Sequence, residues 1–103
     1  MATIHIALLS VSARALTGAT LPVPDSVTAG SDTKTTSATS ALSALTGAVG
    51  QVWSVVSDGP VFLLFGTGTP TAVSGAGWRL PANVPREFAV TTASEKLAFK
   101  DAP

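Results

Sequence analysis

Gln51-Val52-Trp53-Ser54-Val55-Val56-Ser57-Asp58-Gly59-Pro60-Val61-Phe62-Leu63-Leu64-Phe65 decides the fold class. Two runs rich in β-branched and aromatic residues flank a cluster of turn formers, and each run is of strand length rather than helix length. Residues 51–56 read as one strand, 57–60 as a turn and 61–65 as a second strand, with Asp-Gly as a hairpin signal. The second strand is apolar on both faces. One face packs in the core, and the other must meet a second layer or another subunit.

Upstream, Thr3-Ile-His-Ile-Ala-Leu-Leu9 alternates, with Ile4, Ile6 and Leu8 on one face and His5 on the other, which is the two-residue period of a strand. Gly18 and Leu21-Pro22-Val23-Pro24-Asp25 break any helix, because proline lacks the N–H and pushes its predecessor to extended geometry. Residues 26–28 suit a short strand closed by Ala29-Gly30-Ser31-Asp32. Residues 33–46 admit three readings: a polar strand, one or two helical turns capped by Ser40 and stopped by Gly47, or a Ser/Thr-rich linker; the strand is preferred.

Downstream, Trp78-Arg79-Leu80 is a short extended piece ended by Pro81. Residues 87–91 and 95–100 form an expected hairpin, with Phe88 and Val90 matched to Leu97 and Phe99. Many short strands separated by turn residues predict an all-β chain, a small antiparallel β-sandwich or barrel of jelly-roll type. Residues 1–25 read as an extended N-terminal arm with a possible strand, and 26–103 as the single sandwich domain. The longest strongly apolar run, 61–65, is far too short to span a bilayer, and the N-terminus lacks the basic region of a signal peptide.

The composition narrows the chemistry. Six basic and six acidic side chains give no net charge over 103 residues, and only 12% of residues are charged. Neutralising phosphates needs clustered Lys and Arg, so no nucleic-acid partner is expected. Ser and Thr supply 25 residues, and there is no Cys, which removes disulfides and thiolate sites. Without staples, a chain this small relies on its core or on partner subunits.

No catalytic, cofactor or metal site is expected. His5 is the sole histidine, and neither a nucleophile nor a ligand set accompanies it. Asp25, Asp32 and Asp58 read as turn formers, and Glu95, Lys96 and Lys100 as solvated edge charges; Glu87 and Asp101 complete the carboxylates. Gly66-Thr67-Gly68 lacks the third glycine of a dinucleotide loop, since position 71 is Thr71. Asn83 precedes Val84-Pro85 and is no glycosylation acceptor. Trp53 reads as core, while Trp78, beside Gly77 and Arg79, suits either core packing or partner contact.

The order of these pieces carries a resemblance over residues 26–100: the Ser/Thr-rich 33–46, the 51–66 run, Pro70-Thr-Ala72, Trp78 through Phe88, and the closing Lys96-Leu-Ala-Phe99. The pattern is similar to the small β-sandwich accessory virion proteins of tailed bacteriophages, namely capsid decoration (cement) proteins and head-fibre components. That resemblance implies a structural protein on the capsid exterior with no enzymatic activity and no cofactor, bound to the major capsid protein as a homo-oligomer, commonly a trimer. A receptor- or glycan-binding module of a tail or head fibre is the alternative. Expected subunit or capsid contacts are Ile4, Ile6 and Leu8 in the arm, and Trp78 and Leu80 at the loop edge. Neither a membrane nor a nucleic acid is among the expected partners.

Overall fold

The computed structural model describes the backbone of residues 2–16 and 19–102, and the side chains of 2–10 and 28–102. Eight strands form in chain order: β1 (Thr3–Leu16), β2 (Ala19–Thr35), β3 (Ala41–Leu42), β4 (Gln51–Ser57), β5 (Val61–Thr67), β6 (Trp78–Leu80), β7 (Arg86–Ala89) and β8 (Glu95–Asp101). They make two antiparallel four-stranded sheets, ordered β2-β1-β4-β7 and β3-β8-β5-β6. This is the expected small all-β sandwich, built as two separate sheets rather than as a closed barrel. Among the described residues there is no helix.

The core follows from strand alternation. Ile4, Ile6 and Leu8 of β1 and Trp53 and Val55 of β4 point inward from the first sheet. Val61 and Leu63 of β5 and Leu97 and Phe99 of β8 meet them from the second. Burying such side chains is worth roughly 1.5–3 kcal/mol each, which suits a small domain without disulfides. Phe62 and Leu64, on the outer face of β5, are half-buried. Arg79 and Lys100 stand directly opposite Phe62 on the neighbouring strands.

Both expected hairpins are corrected. β4 and β5 lie in different sheets, so the 57–60 turn carries the chain over the sandwich edge. Trp53 and Val55 must face Val61 and Leu63 across the core, and two strands of one hairpin would put all four on the same sheet surface. Asp58 serves this crossover. Its carboxylate accepts from Thr3 N–H at 2.8 Å, and its own N–H donates to Thr3 O at 3.1 Å. β7 and β8 are likewise split between the sheets, and 90–94 is the crossover between them. There Ser94 turns the chain with φ 58°.

The arm is also redrawn. β1 is an inner strand of its sheet, paired with β2 on one side and, from Ile4↔Ser57 to Ser10↔Gln51, with β4 on the other. The sandwich therefore begins at residue 2, and no boundary falls at 25/26. Beyond Ser10, β1 and β2 continue alone as a two-stranded ribbon, from Val11↔Pro24 to Leu16↔Ala19. Pro22 and Pro24 are two residues apart, so their missing donors lie on the same side of β2. Pairing with β1 continues through both, which places that side on the open edge. The expectation for Gly18 lies outside the described residues.

Residues 29–32 are not a turn: β2 runs through them to Thr35 with a register shift opposite Leu8 and Leu9. Of the 33–46 segment, only 33–35 and Ala41–Leu42 are strand. Asp32 explains the path between them. Its carboxylate accepts from Ser43 Oγ at 3.1 Å and from Ala44 N–H at 3.0 Å, which pins the segment after β3 to β2.

Candidate functional site

Four of the five expected contact residues are interior. Ile4 and Ile6 have no exposed surface, Leu8 has 4% and Leu80 has 1%. A side chain inside its own sandwich offers no surface to a partner, so these four are core residues. Trp78 is different: 51% of it is exposed.

Trp78 stands where the two sheets end together, since β6 and β7 are the edge strands on that side of the sandwich. A chain of rings runs outward from the core to it. Trp53 and Phe65 have centroids 5.9 Å apart, Phe65 and Phe88 4.9 Å, and Phe88 and Trp78 5.3 Å, all tilted. These are the offset geometries that aromatic quadrupoles favour. Arg86 Cζ lies 5.8 Å from the Trp78 ring centroid, within cation–π range. The resulting groove of about 490 Å³ is lined chiefly by Phe65, Trp78, Arg86, Glu87 and Phe88, with Glu95 beneath.

Gly77 holds the platform in place. Its φ is +70°, and an added Cβ would lie 2.3 Å from the Leu63 carbonyl oxygen. That carbonyl belongs to β5 where Leu63 pairs with Trp78, so it cannot retreat without opening the ladder. Gly77→Ala is expected to cost about 2–3 kcal/mol and to alter Trp78 fluorescence, as urea titration followed by Trp emission would show. An unchanged midpoint would mean that β6 is not anchored this way.

Glu95 departs furthest from its expected place on the solvated edge, being only 3% exposed. Its Oε1 accepts from Trp53 Nε1–H at 2.8 Å. Its Oε2 lies within reach of Thr91 N–H at 3.3 Å, Thr91 Oγ1 at 3.1 Å and Thr92 Oγ1 at 3.3 Å. On the main chain, Gly47 and Glu95 exchange hydrogen bonds of 2.8 and 3.1 Å. A buried carboxylate thus acts as a hub that neutral donors satisfy.

A second polar junction closes the opposite side. Thr36 Oγ1 accepts from Ala2 N–H at 2.8 Å and donates to the Asp101 carboxylate. His5 is on the outer face, sharing a 2.9 Å hydrogen bond between Nδ1 and Thr33 Oγ1. Among the described residues, no three His, Asp or Glu side chains gather as a metal site would require.

The sequence singled out Trp78 but not Arg86 and Phe88, which complete its surroundings. Arg86 lies eight positions after Trp78, and a local pattern does not reveal contacts between edges of different sheets. Fold and groove together define a class, a small β-sandwich with an aromatic-lined groove among its described residues. Comparison with protein-family models, curated proteins and solved structures gives no match.

Proposed function

We propose that this chain is a structural accessory protein of a tailed-bacteriophage particle. In this reading it attaches to the exterior of the shell as a decoration or cement protein and performs no chemistry. The observation that carries the reading is the β1–β2 ribbon. Its paired strands run past the sandwich, and residues 11–28 include only two charged residues, Arg14 and Asp25. A lone two-stranded ribbon is marginal in water, so covering it with another protein's surface stabilises it. A Ser/Thr-rich chain without net charge also suits close packing of identical copies, because no net repulsion opposes their approach.

Attachment in this scheme uses the ribbon rather than Ile4, Ile6, Leu8 and Leu80. The major capsid protein is the proposed partner, with a symmetric oligomer, a trimer by the resemblance, as the bound form. Replacing residues 11–27 by Asn-Gly leaves a three-residue loop that closes the Leu9↔Thr28 pair. This variant is expected to fold and to be lost from purified particles. The unaltered chain is expected there at a copy number equal to, or a simple fraction of, the shell protein, as quantitative mass spectrometry would measure. Its absence from particles, or retention of the shortened variant at full copy number, would overturn the proposal.

A further inference from the structure

We infer that the groove beside Trp78 is a carbohydrate site, and that it takes a neutral oligosaccharide with a pyranose ring stacked on the Trp78 indole. It lies on a different surface from the ribbon and stands whether or not the particle reading holds. The first observation is the half-exposed ring on a rigid mount, with Gly77 locked against Leu63 O behind it and Phe88 against its side. One face of a pyranose is a patch of C–H groups, which packs on the electron-rich face of an indole. A preformed aromatic platform loses little freedom on binding.

The second observation is the polar equipment, which selects among ligand classes. A cationic ligand would be repelled by the Arg86 guanidinium beside the Trp78 ring. An anionic ligand would meet the carboxylate of Glu95, which lines the groove. A peptide adding itself as a strand would find little edge, since β6 has three residues and β7 four, each next to a proline, Pro81 and Pro85. A purely apolar partner would have to desolvate Arg86 and Glu87 without replacing their hydrogen bonds.

Sugar hydroxyls donate and accept at once. They accept from the Arg86 guanidinium, which lines the groove. A neutral sugar adds no charge beside Glu95.

Fluorescence tests this directly, because the chain has two tryptophans and Trp53 is buried. The full chain is titrated with neutral cello-, malto-, chito- and manno-oligosaccharides and screened on an array of neutral glycans. At least one is expected to shift the Trp78 emission and shield it from acrylamide, with Trp53 unaffected. Trp78→Ala is expected to abolish the response, and Arg86→Ala to weaken binding about tenfold, equivalent to 1.4 kcal/mol. Trp78→Phe, which keeps a ring on the same mount, retains part of the affinity and serves if the alanine variant does not fold. Failure of every neutral glycan with the folded wild-type chain overturns the inference. So does undiminished binding by Trp78→Ala, or a response to charged glycans alone.

Discussion

Replacing Glu95 by alanine is expected to lower stability by about 3–4 kcal/mol, in a domain whose total is of the order of 5–15 kcal/mol. The loss has two parts. Trp53 Nε1–H, buried with no exposed surface, is left without its acceptor, and Thr91 N–H loses its own. The stranded indole donor costs about 1–3 kcal/mol, the more exposed Thr91 N–H less, and the one missing methylene adds roughly 0.8 kcal/mol. For a chain of this length the melting temperature should fall by about 15 °C.

The near-UV circular dichroism of Trp53 should weaken as well, because its indole orientation is tied to that carboxylate. Glu95→Gln keeps an acceptor for Trp53 but turns an N–H₂ group toward Thr91 N–H. It should therefore lose about half as much. A cost below about 1 kcal/mol for the alanine variant would show that the hub does not hold the β7–β8 crossover to β4.

What the sequence made legible is whatever depends on neighbours along the chain. The alternation of Ile4, Ile6 and Leu8 against His5 identified β1 as a strand with one apolar face, though not that the face closes its own sandwich rather than meeting a partner, and the 51–65 run identified two strands flanking a turn. Pairing partners were another matter. Asp58-Gly59 marks a reversal of direction in either a hairpin or a sheet-to-sheet crossover. Which one forms is settled by Asp58 reaching Thr3, 55 positions away. Glu95 was misplaced for the same reason: nothing near it in sequence shows that Trp53, 42 positions away, supplies the donor that makes its burial tolerable. The groove was half legible, since Trp78 beside Gly77 signals an exposed ring. Arg86 joins it only because β6 and β7 end their sheets on the same side.

Ile6→Ala distinguishes an arm from a core strand most sharply. An arm residue that clasps a neighbouring subunit would, when truncated, weaken assembly and leave the isolated subunit as stable as before. Ile6 instead has no exposed surface and sits on β1 between β2 and β4, opposite Asp32 on one side and Val55 on the other. Truncation leaves a cavity lined by side chains of both sheets, and Ile→Ala changes at such sites cost about 2–5 kcal/mol. Urea titration of the isolated chain should show that loss with an unchanged slope, and the melting temperature should drop by at least about 10 °C. His5→Ala, one position away on the outer face, removes only the hydrogen bond to Thr33 and should stay within about 0.5 kcal/mol of the parent. Equal small effects at both positions would return residues 3–10 to the role of an arm. A large loss at Ile6 beside none at His5 would place β1 in the core, leaving the ribbon beyond Ser10 as the part of the hairpin free to reach a partner.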